Sequence, residues 1–211
     1  MPTRLFLLRH GETLSNLEQR YQGKNESHLS ELGTKQSIEL AKYLSKEDFK
    51  AFYSSTLSRS YETAKAIADP HGLNVTQMPD LIERDYGEWE NMRFEEIKAK
   101  YPAIYESWLI NPGKTVIPGA ESLEEVQERG VKAIEHIVHT HRNQTICVVG
   151  HGGINRTILF SFMHMDLNNF WRIKQDNCCI NLIEIDKVPM ISLLNSTAHL
   201  GETRIKGTGY Y

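Results

Sequence analysis

Short apolar segments alternate along the chain with longer segments whose apolar residues recur every three or four positions. The short segments span residues 3–8, 51–54, 73–78 and 145–149, with a late pair at 180–185 and 190–194. Their length and composition predict β-strands, and the longer segments predict amphipathic helices. Strands and helices that alternate in this way favour an α/β fold, here a three-layer α/β/α sandwich with a mainly parallel central sheet.

Capping residues indicate where several helices begin and end. One helix is predicted over residues 30–45 and a second over residues 56–72, where Gly72 supplies the C-cap. Ser122 and Glu125 have the spacing of a capping box and predict the start of a third long helix. The late pair of strands is predicted to form a hairpin that turns at residues 187–189.

The region of residues 80–120 breaks the alternation and is rich in aromatic residues. It predicts one or two helices that pass over the sheet and lie beside the ligand site as a lid. Most of these aromatic side chains are expected to form a local core. Trp89 and Phe94 are the two that we expect to contact a substrate.

Composition and net charge exclude several classes of protein. The 211 residues include 40% hydrophobic and 24% charged residues, enough for one α/β domain over residues 1–211. The net charge of −3 provides no basic surface for nucleic acid or for an anionic membrane. The apolar stretch before Arg9 is too short for a signal peptide or a membrane span, so a cytoplasmic location is expected. Three cysteines follow no disulfide or metal-binding pattern, and the tail from Gly201 is expected to be a loop.

Two histidines carry the strongest chemical signal, because each follows an apolar strand and precedes a glycine. Arg9, His10 and Gly11 end the first strand, whereas His151 follows the strand at 145–149 and precedes Gly152 and a helix. The carboxyl ends of parallel strands meet at one edge of a sheet, where ligands bind in α/β proteins. We therefore expect both imidazoles, a guanidinium and a helix N-terminus at one anion-binding site.

Two further charged residues are expected at the same edge. Arg59 falls in the first turn of the helix after the second strand, where the helix dipole disfavours a cation unless an anion binds there. Glu83 comes just after the third strand and could move a proton to or from a leaving oxygen. Two arginines and an imidazolium can neutralise a phosphate dianion without a metal, and the chain contains no recognisable metal-binding motif.

In this order, the motifs resemble those of the histidine phosphatase superfamily, which includes cofactor-dependent phosphoglycerate mutases and many small phosphatases. The resemblance runs from about residue 5 to residue 200 and rests on Arg9–Thr13, Asn16, Arg59 with Thr63-Ala64, Glu83 before Gly87-Glu88-Trp89, and Gly150-His151-Gly152.

The resemblance implies that His10 attacks phosphorus and becomes a phosphohistidine. It implies that Arg9, Arg59 and His151 hold the phosphoryl oxygens, and that Glu83 is the general acid and base. Asn16 would donate to the same oxygens, and the other expected substrate-binding residues are Gln22, Gly23, Tyr86, Gly152 and Gly153.

The resemblance leaves three possible functions: a phosphatase, a mutase or an inactive binding module. A phosphatase is favoured over a mutase because the region between Trp89 and Gly119 is short and has Phe94 and Trp108 where mutases carry basic residues. An inactive module is disfavoured because no catalytic residue is missing. The expected partner is a small-molecule phosphate ester, with no cofactor, metal, nucleic acid or membrane, and a homodimer is left open. Candidate substrates are α-ribazole phosphate, phosphoserine and sugar phosphates.

Overall fold

The computed structural model describes residues 1–204. The strands are β1 (Thr3–Arg9), β2 (Phe49–Ser54), β3 (Val75–Gln77), β4 (Thr145–Gly150), β5 (Ile180–Ile185) and β6 (Met190–Ser196). The α-helices are α1 (Leu14–Leu17), α2 (Glu31–Leu44), α3 (Ser58–Ala68), α4 (Phe94–Lys100), α5 (Pro102–Ile110), α6 (Leu123–Thr140) and α7 (Gly152–Phe162). The alternation of strands and helices is the one predicted from the sequence.

The six strands form one sheet in the order β3-β2-β4-β1-β5-β6. The pairs β1–β4, β2–β4 and β2–β3 are parallel, whereas β5 pairs with β1 and β6 in antiparallel fashion. The predicted mainly parallel sheet and late hairpin are therefore confirmed. The pairing of Arg9 with Gly150 aligns the ends of β1 and β4, the strands that precede the two histidines.

Helices cover both faces of the sheet and bury alternate strand residues. Phe6 and Leu8 of β1 pack in a cluster with residues of α2 and α3, whereas Leu5 and Leu7 pack with residues of α6 and α7. Burying both faces of a parallel sheet requires this continuous apolar sequence. The result is the predicted three-layer sandwich.

The capping residues in the sequence predicted several helix ends correctly. The Ser30 side chain accepts a hydrogen bond from the Gly33 N–H, and Ser122 and Glu125 form the predicted capping box. Gly72 adopts a left-handed conformation with φ +66° after a short 3₁₀ turn. The loop predicted from Gly201 is wrong up to Thr203, because a kinked 3₁₀ segment spans Ala198–Thr203 and buries Leu200. The rest of that prediction lies outside the described residues.

A third apolar cluster belongs to the region predicted to be a lid. Here α4 and α5 pack around Trp89 and Trp108, together with aromatic residues that follow α7. The cluster places this region beside the carboxyl ends of the parallel strands. None of the described helices combines the length and apolarity that crossing a membrane would need.

Candidate active site

The two predicted histidines meet where β1 and β4 end. Their ring centroids lie 5.1 Å apart, and the backbone N–H of His10 donates to the carbonyl of Gly150 at 3.2 Å. Both side chains are almost fully buried. This proximity follows from the parallel register, because each histidine comes directly after the last residue of its strand.

The tautomer of His10 is set by its neighbour in sequence. Nδ1 of His10 donates to the carbonyl oxygen of Gly11 at 2.7 Å, which leaves Nε2 as the nitrogen with a lone pair. Burial, followed by the positive charges of Arg59 and Arg9, lowers the pKa of His10 well below its ordinary value of 6.5. The imidazole is therefore neutral at pH 7, as a nucleophile must be.

Arg59 reaches the site from the first turn of α3 and is held there by backbone carbonyls. Its two Nη atoms donate to the carbonyls of Gly23 and Asn25, each at 2.8 Å, and its Nε donates to Nδ1 of His151 at 3.3 Å. A guanidinium has five N–H donors, so three bonds leave two for a ligand. Burial lowers the pKa of Arg59 to about 10, which keeps the side chain charged at neutral pH.

His151 lies behind Arg59 and does not line the cavity. Its Nδ1 accepts from Arg59, so Nε2 carries the proton and donates to the Ser55 hydroxyl at 2.6 Å. Burial, followed by the positive charges around it, lowers the pKa of His151 well below 6.5. The imidazolium expected from the sequence is therefore wrong, and the neutral ring orients Arg59 in this structure.

Arg9 approaches the same point from the end of β1. Its Nη1 donates to the carbonyl of Gln175, whereas its Nε is buried and has no hydrogen-bond partner among the described residues. A Cβ built on Gly152 would lie 3.5 Å from that Nε. Arg9 thus faces the first residue of α7, at the end of the helix whose dipole favours an anion.

Glu83 caps the N-terminus of α7. Its Oε2 accepts from the N–H of Gly153 at 2.9 Å, and its Oε1 accepts from the N–H groups of Ile154 and Arg84 at 3.0 and 2.8 Å. A Cβ built on Gly153 would lie only 2.5 Å from Oε1, so glycine is needed at that position. The carboxylate satisfies three buried donors while one side of it lines the cavity.

The cavity between these groups measures about 80 Å³, which suits a small ligand. Ten of the eleven site residues expected from the sequence line it: Arg9, His10, Asn16, Gln22, Gly23, Arg59, Glu83, Tyr86, Gly152 and Gly153. His151 is the exception. Sequence reasoning missed four lining residues: Arg20, Tyr21, Arg156 and Trp171.

Arg156 is the missed residue that a local signal could have revealed. It lies four positions after Gly152 on α7, and residues at that spacing share one face of a helix. Arg20 and Tyr21 follow α1 in a segment without periodicity, and Trp171 lies in a late 3₁₀ segment. No local pattern directs those three side chains to the cavity.

The lid supplies Glu83, Tyr86 and Phe94 to the cavity, but not Trp89. The expected substrate contact by Trp89 is wrong, because this indole is fully buried in the aromatic cluster of the lid. Trp108 is also fully buried, and its indole N–H donates to the Tyr21 hydroxyl at 2.9 Å. No basic residue of the lid lines the cavity within the part of the chain that the structure describes.

The positive charge at the cavity comes from side chains. Over residues 1–204, no three histidine, cysteine, aspartate or glutamate side chains are grouped in a way that could hold a metal ion. Cys147, Cys178 and Cys179 are buried free thiols, and burial raises the pKa of each. The cationic groups at the cavity are therefore the guanidinium groups.

Comparison with known families gives a match over most of the chain. A model described as "Histidine phosphatase superfamily (branch 1)" matches residues 5–195. This range includes every residue that lines the cavity.

Individual relatives align over nearly full lengths. Phosphoserine phosphatase 1 of Hydrogenobacter thermophilus is 38% identical over 200 residues, covering 94% of this chain and 95% of that protein. Metal-independent phosphoserine phosphatase of Arabidopsis thaliana is 32% identical over 212 residues, covering 99% and 87%. Among solved structures, Bacillus stearothermophilus YhfR superposes with a TM-score of 0.90 at 29% identity, covering 94% of this chain and 99% of that one.

Proposed function

The chain belongs to the histidine phosphatase superfamily (branch 1), and on that basis we propose that it is a metal-independent phosphomonoesterase acting through a phosphohistidine on His10. The observation that carries the proposal is the state of His10. Its Nδ1 proton is committed to the Gly11 carbonyl, its ring is neutral, and it lines a cavity between Arg9 and Arg59. Phosphatase names among relatives up to 38% identical support the reaction class.

In the first step, Nε2 of His10 attacks phosphorus and the bond from phosphorus to the ester oxygen breaks. Arg9 and Arg59 bind the equatorial oxygens and stabilise the charge that spreads over them in the transition state. The neutral His151 keeps Arg59 oriented through the 3.3 Å bond to its Nε.

Glu83 is the residue we assign to proton transfer. In the first step it gives a proton to the departing alkoxide, and in the second it takes a proton from the water that attacks the phosphohistidine. That water cleaves the P–N bond, releases phosphate and restores His10 with its proton on Nδ1. Glu83 is the acidic residue that lines the cavity within residues 1–204.

A cofactor-dependent phosphoglycerate mutase is the alternative from the same family. A mutase returns the phosphoryl group to a second hydroxyl of a bound glycerate, and basic lid residues are expected to hold the glycerate carboxylate. The buried Trp108 and the apolar Phe94 occupy that part of the lid instead. We therefore favour water as the acceptor.

O-Phosphoserine is the first substrate to test, because two of the relatives above carry the name phosphoserine phosphatase. α-Ribazole phosphate and sugar phosphates complete the panel. Metal independence is supported by the name of the Arabidopsis relative and by the arginine-lined cavity.

Rapid-quench labelling tests the covalent step. With a ³²P-labelled ester quenched in base, the wild-type protein should carry an acid-labile, base-stable label, because phosphoramidates hydrolyse in acid. The His10→Ala variant should lose the label and at least about 10³-fold in turnover. The exposed His136 on α6 provides the matched control, and His136→Ala should change neither result. Substantial turnover by His10→Ala would overturn the proposal.

A further inference from the structure

Arg156 carries a charge that the reaction proposed above does not use. It lies on α7 one turn after Gly152, and its guanidinium lines the cavity. Over the described residues 1–204, no carboxylate forms an ion pair with it. An arginine held beside a catalytic cavity without an acidic partner is available to an anionic ligand.

The side chain of Arg156 is nevertheless held firmly. Its Nε donates to the carbonyl of Ile173 at 2.7 Å, and its guanidinium carbon lies 5.0 Å and 5.1 Å from the ring centroids of Phe170 and Trp171. These contacts fix the stem and one face of the group but leave both Nη atoms for the cavity. A guanidinium preorganised in this way loses little entropy when it binds a ligand.

Gly152 brings Arg156 close to Arg9. A Cβ built on Gly152 would lie 3.5 Å from Nε of Arg9 and 3.8 Å from Nη1 of Arg156, so two guanidiniums approach the same backbone position. The side chains of Tyr21, Tyr86 and Trp171 also line the cavity. A ligand that reaches both arginines must therefore be compact.

Charge balance indicates what that ligand carries. Arg9 and Arg59 together neutralise the dianionic phosphoryl group, and three backbone N–H groups already bind the carboxylate of Glu83. The positive charge of Arg156 can then neutralise one further negative group on the substrate. The fork of N–H donors on a guanidinium matches the two oxygens of a carboxylate.

We propose that Arg156 binds a carboxylate on the organic part of the substrate, which makes the preferred substrates compact phosphomonoesters that carry a carboxylate. This inference rests on the phosphatase activity proposed above and adds a specificity residue to it. The organic group would then be recognised by a residue of α7 and not by the lid.

Two esters that differ in the carboxylate alone provide the test: O-phosphoserine and O-phosphoethanolamine. The wild-type protein should prefer phosphoserine by roughly 10- to 100-fold in kcat/KM. Arg156→Gln should lose most of that preference, with a large loss on phosphoserine and a change below about threefold on phosphoethanolamine. Arg156→Lys keeps the charge but not the fork, and should retain an intermediate preference.

The control is Arg172→Gln, which removes an exposed arginine next to Trp171 that bonds only within its own 3₁₀ segment among the described residues. Its preference should equal that of the wild type. Thermal melts of each variant identify any loss of folding, and the preference of Arg156→Lys then decides the test if Arg156→Gln does not fold.

Several results would overturn the inference. Equal losses on both esters in Arg156→Gln would show that Arg156 binds the phosphoryl group or acts through packing. A wild-type protein that hydrolyses p-nitrophenyl phosphate without preferring phosphoserine would overturn the inference and leave the proposed phosphatase intact. A wild-type protein that hydrolyses none of the three esters would overturn both.

Discussion

Replacing Glu83 by glutamine changes one oxygen to an NH₂ group and separates two roles of this side chain. The carboxylate now accepts three backbone N–H groups, two at Oε1 and one at Oε2. The amide oxygen of glutamine can still accept from Arg84 and Ile154. Its NH₂ group then faces the N–H of Gly153, and two donors cannot bond to each other.

The stability cost follows from that one lost bond. A buried donor without a partner costs about 1–3 kcal/mol. For a chain of this length, each kcal/mol lowers the melting temperature by about 2–4 °C, so Glu83→Gln should melt roughly 2–12 °C below the wild type. The fold should persist, because the sheet and the apolar clusters on its two faces are untouched.

The kinetic cost should depend on the leaving group. Loss of a general acid costs about 10²–10⁴-fold when the leaving alkoxide is basic, but little when the leaving group departs unaided. Glu83→Gln should therefore damage hydrolysis of an alkyl phosphate such as phosphoserine far more than hydrolysis of p-nitrophenyl phosphate. Arg59→Ala should damage both reactions to a similar degree, because Arg59 binds the phosphoryl group that the two esters share.

Steady-state kcat/KM for both esters, measured well below each variant's melting temperature, decides between the roles. Equal losses on the two esters in Glu83→Gln would refute proton transfer and leave Glu83 as the cap of α7. The other nearby acids would be poor replacements, because Glu12 bonds to Ser30, Asp85 pairs with Lys24, and Glu88 bonds to Tyr101, all outside the cavity lining.

Two further predictions concern metal and pH. Activity should survive EDTA unchanged, since guanidinium groups supply the positive charge at the cavity, and a loss restored by magnesium or manganese would contradict the site assignment. Burial lowers the pKa values of His10 and His151 well below 6.5, so the unfolded chain binds more protons than the folded one below that pH. The free energy of unfolding should therefore be highest above about pH 6.5 and fall as the pH drops below it, because protonation then favours the unfolded chain. Denaturant titrations at pH 7.5 and 5.5 measure this fall, and the His151→Gln variant should show a smaller one.

The side of the cavity nearest the strand ends could be predicted, because its residues follow those strands in the sequence. A parallel register brings His10 and His151 together whatever the surrounding loops do, and Gly152 begins the helix that faces them. The fold class followed from the same alternation of strands and helices. The local sequence did not predict the hydrogen bonds of His151, whose two ring nitrogens bond to Ser55 and Arg59.

The opposite side of the cavity could be predicted less well, because tertiary packing selects its residues. Trp89 and Phe94 looked equivalent in sequence, yet Trp89 is fully buried in the lid cluster and Phe94 lines the cavity. Both are large aromatic residues, and only the folded lid decides which of them fills its core. The same holds for Trp171, whose indole N–H donates to the carbonyl of Trp108 and so orients the ring from the lid.

Arg156 shows how these two sides are connected. Its backbone belongs to α7, the helix that also contains Gly152 and the N–H groups that hold Glu83. Its guanidinium is packed against the rings of Phe170 and Trp171, which belong to the aromatic cluster of the lid. A carboxylate bound there would fix the organic part of the substrate relative to both the nucleophile and the proton donor. Recognition of the leaving group would then contribute to kcat as well as to KM, because correct orientation is worth several kcal/mol of barrier.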